Sequence, residues 1–265
     1  MTLIRPTAVF LAVTFGVAWG LPALYAALVP NVQDALVGFA IVHFLSAFGP
    51  AVGGVAAAAS CGRETMRRHL GFLTRVAVGW RWYAATAAMI VAVYIAVEVF
   101  NHAVGGAPLY GLWNGWVLLY FVPLLGDQGA IEELGFRGWL LPFMQRTLSP
   151  SAAAFIIGVL WFLFHYTVLL PGFPLATPRL PNWDYVAAFF IQIIALSYIF
   201  TVLFNATGGS VPLVFVAHWL INVAIKVPAF FGHWAVWPSA ISLVAVLVVA
   251  LGRRALANER KVTTP

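Results

Sequence analysis

Residues 116–138 read WVLLYFVPLLGDQGAIEELGFRG, an apolar run that ends in two adjacent glutamates and an arginine. The apolar part is typical of a membrane-spanning helix. A charged side chain at the centre of such a helix costs about 2.5–3.5 kcal/mol on insertion scales, and it persists where it faces a protein interior or a water-filled cavity. Glu132, Glu133 and Arg137 therefore predict a polar site inside a membrane-embedded bundle.

The composition of the whole chain is that of a membrane protein. Of its 265 residues, 63% are hydrophobic and 8% are charged, and the mean hydropathy is +0.95. Soluble domains carry about 25% charged residues. The chain is predicted to be an all-α, polytopic membrane bundle of roughly eight transmembrane helices, forming a single integral membrane domain over residues 1–265. The expected spans are 7–29, 36–60, 82–103, 112–146 (with a break near Gly126 or a tilted extension), 151–170, 184–206, 211–230 and 234–251.

The distribution of basic residues predicts the orientation of the chain. Threading eight spans places nearly all basic segments on one side, which is expected to be cytoplasmic. We therefore expect an integral protein of the plasma (inner) membrane with both termini in the cytoplasm, and Arg179 is the outward exception. The basic residues on the expected cytoplasmic side are Arg5, Arg63, Arg67, Arg68, Arg75, Arg81, Arg146, Arg253, Arg254, Arg260 and Lys261.

Two classes of function are disfavoured by the same composition. The net charge of +6 sets orientation rather than nucleic-acid binding, because no Lys/Arg-rich arm with interleaved aromatic residues is present. Cys61 is the one cysteine, so the chain has neither an internal disulfide framework nor a cysteine-cluster metal site.

The segment EELGFR, residues 132–137, admits a structural and a functional interpretation. Glu133 and Arg137 are spaced i, i+4 on a helix and are expected to form an ion pair. Such a pair can simply join two helices. Glu132 points about 100° away from Glu133 and is left as a second buried carboxylate. Beside a histidine it is a candidate general base.

Two further segments place polar side chains within predicted spans. In WFLFHY, residues 161–166, Trp161 and His165 are one turn apart, so the indole can pack on the imidazole. In AHWLIN, residues 217–222, His218 and Asn222 share a helix face and together can bind an oxyanion. The alternatives are a core histidine for His165 and hydrogen bonding between helices for His218 and Asn222. The preceding NATGGSVPLV, residues 205–214, predicts a helix end, a glycine turn and a new helix.

The signatures of other intramembrane proteases are missing. No H-E-x-x-H metalloprotease motif occurs. Ser210 lacks the context of a rhomboid-type serine, and Asp127 lacks the context of a presenilin-type aspartate. With these three classes excluded, the polar residues that remain as candidates are glutamates and histidines.

The three segments, in this order, resemble the CPBP family, which contains the type II CAAX prenyl endopeptidases and the Abi, bacteriocin-processing and self-immunity proteins. The resemblance covers a catalytic core at about 113–225. It implies that Glu132 and His165 activate a water, that His218 and Asn222 stabilise the oxyanion, and that Glu133, Arg137 and Trp161 support them. Trp161 departs from the family, which usually has Phe at that position.

The resemblance implies an intramembrane endopeptidase that acts, within the lipid bilayer, on a membrane-embedded or lipidated peptide such as a prenylated CAAX-like substrate. A cofactor is not certain: two histidines and a glutamate are also a ligand set for a divalent metal such as Zn²⁺, and water activation without a metal is favoured slightly. Two other functions stay open. The first is a non-catalytic membrane scaffold or bacteriocin-immunity protein, and the second is a proton-coupled transporter, although the internal repeat typical of transporters is not apparent.

Overall fold

The structure is a computed structural model that describes residues 4–29, 36–109, 129–165, 183–231, 236–257 and 262. Every regular element within those ranges is helical, as the sequence predicts. In chain order the elements are α1 (Ile4–Leu28), α2 (Leu36–Ser46), α3 (Gly49–Ser60), α4 (Arg63–Leu73), α5 (Trp80–Ala103), a composite helix over residues 129–144 that we call α6, α7 (Pro150–Phe164), α8 (Trp183–Ala206), α9 (Val211–Phe231), α10 (Val236–Leu251) and a short 3₁₀ turn (Arg253–Ala255).

Four helical stretches are long and apolar enough to cross a membrane: Ile4–Leu28, Ile41–Ser60, Trp80–Ala103 and Trp183–Ala206. Shorter apolar helices cover Pro150–Phe164, Val211–Ile225 and Val236–Leu251. Large apolar side chains such as Ile95 and Val246 are exposed on these helices, as expected for surfaces that face lipid. The protein is an integral membrane helical bundle. Each of the eight predicted spans contains a described helix, and the count of eight stays a prediction.

Three details differ from the spans drawn on the sequence. The second span is interrupted at residues 47–48, because Pro50 has no N–H to bond to the carbonyl of Ser46. The basic segment after it contains α4, an amphipathic helix that the span count leaves as a connection. The fifth predicted span, 151–170, is described to residue 165, and the helix proper ends at Phe164. The proposed break near Gly126 lies outside the described residues.

The composite helix α6 lies inside the bundle, where it packs against α3, α4, α8 and α9. Small residues allow the close approach of α3. An added methyl group on Gly135 would collide with the backbone carbonyl of Pro50, and one on Gly54 would lie 3.2 Å from the Cα of Gly135. Two backbones that touch in this way leave no room for side chains between them, a packing that small residues provide in membrane proteins.

The predicted glycine turn between α8 and α9 is confirmed. Gly208 and Gly209 have φ angles of 66° and 103°, a region that favours glycine. Ser210 then donates its hydroxyl hydrogen to the Arg75 carbonyl at 2.7 Å. This bond ties the start of α9, and with it His218, to the segment that follows α4.

Candidate active site

The site is organised by a change of helix type within α6. Residues Gly129–Glu132 form a 3₁₀ turn, Glu133–Gly135 an α turn and Phe136–Leu140 a π turn. A π turn inside an α-helix is rare and frequent at functional sites. Both carboxylates are buried, with 4% of Glu132 and 0% of Glu133 exposed.

Glu133 binds two cationic or hydrogen-bonding partners at once. Arg137 Nη1 lies 3.2 Å from its Oε1 and 3.0 Å from its Oε2. His218 Nδ1, on α9, lies 2.8 Å from Oε1. The i, i+4 ion pair predicted from the sequence is therefore confirmed. The histidine partner was not predicted, because it comes from a helix 85 residues further along the chain.

Arg137 is fully buried, and its two terminal nitrogens have partners among the described residues whereas Nε has none. Its Nη2 donates to Ser197 Oγ at 3.2 Å, and Ser197 in turn donates to the Ala154 carbonyl at 2.7 Å. The guanidinium carbon lies 4.9 Å from the Trp161 ring centroid and 5.2 Å from that of Phe200. Cation–π contacts of this kind strengthen when they are desolvated. Sequence reasoning missed Ser197 and Phe200, because Ser197 is one of several polar residues in the apolar helix α8 and Phe200 one of its many apolar residues.

Glu132 belongs to a second group, which centres on the end of α7. Its Oε2 accepts a short hydrogen bond from Trp161 Nε1–H. Its Oε1 lies 3.9 Å from His165 Nε2. His165 caps α7, and its Nδ1 lies 2.8 Å from the Trp161 carbonyl oxygen. The predicted packing of Trp161 on His165 is present, with ring centroids 5.9 Å apart. The indole donor to Glu132 was not predicted.

Trp161 connects the two groups. The Trp161 indole contacts the His218 imidazole edge to face, with centroids 5.2 Å apart and an interplanar angle of 76°. The same indole lies under Arg137 and donates to Glu132. The Trp161 ring therefore contacts members of both glutamate–histidine pairs. Through it the two pairs form one cluster of polar side chains inside the apolar bundle.

Asn222 is placed on α9 one turn after His218, and it is half-buried. The i, i+4 spacing puts the amide on the helix face that carries the imidazole, as the sequence predicts. Six of the seven predicted site residues thus lie on α6, α7 and α9, and His165 is the C-cap of α7. The structure brings six of them into contact through the pairs above, and Asn222 adjoins that cluster through its position beside His218.

Residues 112–224 match the family model of the Rce1-like type II CAAX prenyl endopeptidases. This stretch belongs to the Rce1-like family. The resemblance to the CPBP family is thereby confirmed over almost the same residues, and all seven site residues fall inside the match. No curated protein matches the chain. The Rce1-like domain indicates an intramembrane endopeptidase of the CAAX type that acts on membrane-associated substrates.

The described side chains around Glu132 and Glu133 fit a metal poorly. Among the described residues, no group of three His, Cys, Asp or Glu side chains has the spacing of a metal centre. Both oxygens of Glu133 face the Arg137 guanidinium, and the indole of Trp161 binds one oxygen of Glu132. A divalent metal at Glu133 would have to displace a buried cation. At Glu132 the described residues bring together two possible ligands, Oε1 of Glu132 and Nε2 of His165, without a third, so the ligand set described here fits poorly.

Proposed function

We propose that the protein hydrolyses a peptide bond in a membrane-embedded or prenylated, CAAX-like substrate, with a water activated by Glu132 and His165. The observation that carries the proposal is the 3.9 Å separation between Glu132 Oε1 and His165 Nε2. In this proposal the chain acts as one membrane domain whose catalytic core is residues 113–225.

The hydrogen bonds of His165 define which nitrogen carries the proton. A carbonyl oxygen can only accept, so the 2.8 Å contact with Trp161 O requires a hydrogen on Nδ1. In the neutral ring, Nε2 then bears the lone pair and faces the carboxylate. Two acceptors 3.9 Å apart suit a water that donates one hydrogen to each, because a water about 2.8 Å from both atoms can bridge them.

Such a water is a nucleophile with a base already in place. As its oxygen attacks the substrate carbonyl carbon, the Glu132–His165 pair takes its proton and later delivers a proton to the leaving amine. The Trp161 indole N–H holds the other carboxylate oxygen and so fixes the direction of Glu132. The bond that forms is carbon to water oxygen, and the bond that breaks is carbon to nitrogen.

His218 and Asn222 are placed to stabilise the negative charge that develops on the substrate oxygen. Nδ1 of His218 is occupied by Glu133, which leaves Nε2 for the substrate. When His218 is protonated, the cluster of Arg137, Glu133 and His218 carries one net positive charge. Preorganised donors and positive charge of this kind are worth most in a site that excludes water. The Asn222 amide supplies a neutral second donor.

We further propose that the reaction needs no tightly bound metal, and that the protein resides in the plasma (inner) membrane with both termini in the cytoplasm. The arrangement of Glu133 with Arg137 and of Glu132 with Trp161 supports the first point. The distribution of basic residues along the sequence supports the second.

The test is cleavage of a fluorogenic prenylated peptide, together with a small panel of signal peptides, by purified protein in detergent. Wild type is expected to cleave in the presence of chelator, and Glu132→Gln and His165→Ala to show no cleavage at normal expression. Asn222→Ala is expected to lower kcat about a hundredfold or more, the usual loss for an oxyanion donor.

Cleavage that survives Glu132→Gln would refute the role of Glu132 as the base, and cleavage abolished by chelator would refute the metal-independent mechanism. If well-folded wild type cleaves no peptide, the result would favour the non-catalytic scaffold or immunity function over the peptidase.

A further inference from the structure

The main chain of α6 is short of hydrogen-bond donors where it passes through the π turn. The N–H of Leu141 bonds to the Phe136 carbonyl, and the N–H of Gln145 bonds to the Leu141 carbonyl. Between these two bonds lie the four carbonyls of residues 137–140 and only two N–H groups, because Pro142 has none. Since each N–H normally serves one carbonyl, two of the four carbonyls have no donor within the helix.

The shortage has two sources, and burial makes it costly. A π turn bonds an N–H to the carbonyl five residues earlier, so one carbonyl is passed over where the chain returns to an α-helix. Proline then removes a further donor. All five residues of the π turn, Phe136–Leu140, are buried. An unpaired buried carbonyl costs free energy, so this segment depends on donors from neighbouring helices.

His69, on α4, supplies one of the missing donors. Its Nδ1 lies 2.9 Å from the Gly138 carbonyl oxygen. A carbonyl oxygen can only accept, so Nδ1 carries the hydrogen. The imidazole is 2% exposed, and a hydrogen bond in such a site is stronger than one that competes with water. A side chain from α4 therefore completes the hydrogen bonding of α6.

Two glycines leave the space in which the imidazole lies. An added methyl group on Gly138 would lie 3.2 Å from His69 Cε1 and 2.7 Å from Leu73 Cδ2. One on Gly54, in α3, would lie 3.4 Å from the same His69 carbon. The imidazole is thus enclosed between α3, α4 and α6. A closely packed side chain has few alternative rotamers, so the Nδ1–H group is held in the direction of the carbonyl.

This hydrogen bond acts on the main chain directly beside the catalytic cluster. Gly138 follows Arg137, whose guanidinium lies 3.0 Å from Glu133 Oε2. Glu133 Oε1 in turn lies 2.8 Å from His218 Nδ1. A shift of the π turn would therefore displace Arg137 and, through the carboxylate, the imidazole on α9.

We propose that His69 is a positioning residue for the peptidase reaction, which holds the π turn through the Gly138 carbonyl and thereby keeps His218 in place for the substrate oxygen. This role rests on the proposed function and deepens it. The charge on the substrate oxygen develops only in the transition state, so the loss of this positioning lowers kcat and leaves KM nearly unchanged. The helix α4, which carries none of the seven site residues, thus takes part in catalysis indirectly.

The test compares three variants of the purified full-length protein in detergent. His69→Leu and His69→Asn replace the imidazole by side chains of nearly the same shape, of which only asparagine has an N–H for the Gly138 carbonyl. Phe72→Leu is the control on the same helix. Phe72 is 3% exposed and packs on Phe204 with ring centroids 5.4 Å apart, so this change weakens the attachment of α4 and leaves the hydrogen bond intact.

Two properties are measured on each preparation, well below its thermal unfolding midpoint. The first is kcat and KM, per folded protein, for a fluorogenic prenylated peptide that wild type cleaves. The second is hydrogen–deuterium exchange in the segment 129–145, which reports on the π turn whether or not the protein is a peptidase.

His69→Leu is expected to lower kcat about tenfold or more at similar KM, because small displacements of catalytic groups have effects of that order, and to speed exchange in residues 129–145. His69→Asn should recover most of both properties. Phe72→Leu should lower the thermal midpoint and keep kcat near that of wild type.

Three results would overturn the positioning role: wild-type kcat in His69→Leu, an equal loss of kcat in Phe72→Leu, or a His69→Asn protein no better than His69→Leu. If wild type cleaves no peptide, the proposed function fails and exchange alone decides about His69. Faster exchange in His69→Leu than in His69→Asn would then support the hold on the π turn, and unchanged exchange would refute it.

Discussion

Glu132 and Glu133 are neighbours in the sequence and pair with histidines on different helices. Glu132 Oε1 lies 3.9 Å from His165 Nε2 at the end of α7, and Glu133 Oε1 lies 2.8 Å from His218 Nδ1 on α9. Only Glu133 also holds a buried arginine. Two adjacent carboxylates with different surroundings can take different chemical roles, which makes their substitutions separable.

The two glutamate-to-glutamine changes are expected to differ: Glu132→Gln should abolish peptide cleavage, and Glu133→Gln should lower stability. Glu132→Gln keeps an acceptor for the Trp161 indole, so the thermal midpoint should stay near that of wild type while peptide cleavage is lost. Glu133→Gln strands Arg137 as an unpaired buried charge, which costs about 3–5 kcal/mol, so its midpoint should fall. Thermal unfolding and cleavage are measured on the same preparations. A Glu133→Gln protein as stable as wild type would contradict the structural role of the ion pair.

Trp161→Phe is expected to slow catalysis without unfolding the protein. Phenylalanine keeps a ring beside His218 and Arg137 and loses only the N–H that binds Glu132. A hydrogen bond to a charged group is worth about 1.5–3 kcal/mol, so kcat should fall about tenfold or more at unchanged KM. Unchanged kcat would show that Glu132 is oriented by other contacts.

Arg137→Ala is expected to lower the abundance of the protein in membranes, because it leaves Glu133 buried without its cation. The expected loss of stability is about 3–5 kcal/mol. Arg67→Ala is the matched control, since Arg67 also pairs with a glutamate but is 81% exposed. Exposed pairs contribute about 0–1 kcal/mol. Membrane-fraction immunoblots and thermal midpoints of both variants decide the point, and equal abundance would argue against a structural ion pair.

Gly135→Ala is expected to displace α6 from α3. The added methyl group would collide with the Pro50 carbonyl, and backbone cannot move aside as a flexible side chain can. Gly20→Ala on α1 is the control, since an added methyl group there meets no atom within 4 Å. The measurement is the thermal midpoint together with cleavage activity. Gly135→Ala should lower both and Gly20→Ala neither, and a Gly135→Ala protein with wild-type values would refute the close contact.

The pH dependence of stability is expected to include a contribution from His69. Burial lowers the pKa of His69 from its ordinary value of 6.5. As the pH falls below about 6.5, the unfolded chain therefore binds a proton at this site before the folded protein does. The contribution of His69 to stability is therefore present in full above about pH 6.5 and decreases as the pH falls below it. His69→Asn keeps a donor for Gly138 and cannot titrate, so its unfolding midpoint should change less between pH 7 and pH 5. Identical pH profiles would exclude the contribution.

The parts of the site that follow from local spacing were predictable from sequence. The ion pair between Glu133 and Arg137, the packing of Trp161 on His165 and the glycine turn before α9 each depend on residues within a few positions of one another. Fixed helix geometry turns such spacing into contact. The all-helical membrane fold followed from composition for a similarly local reason.

Contacts between helices that are distant in the chain could not be predicted from the sequence. His218 approaches Glu133 and Ser197 approaches Arg137 only because α9 and α8 pack beside α6. That packing depends on Gly135 and Pro50, whose close approach no periodicity reveals. The helical character of residues 63–73 was missed since its charged residues were read only as orientation signals.

The π turn at Phe136–Leu140 makes the site sensitive to the count of residues as well as to their identity. A π turn is an α-helix with one residue too many per turn. Deleting a single residue there would relax the segment to an ordinary helix and rotate everything after it by about 100° relative to Glu132. Trp139 and Gln145 would then face new neighbours although every catalytic side chain was still present. In this part of the chain a one-codon deletion would be more damaging than most substitutions.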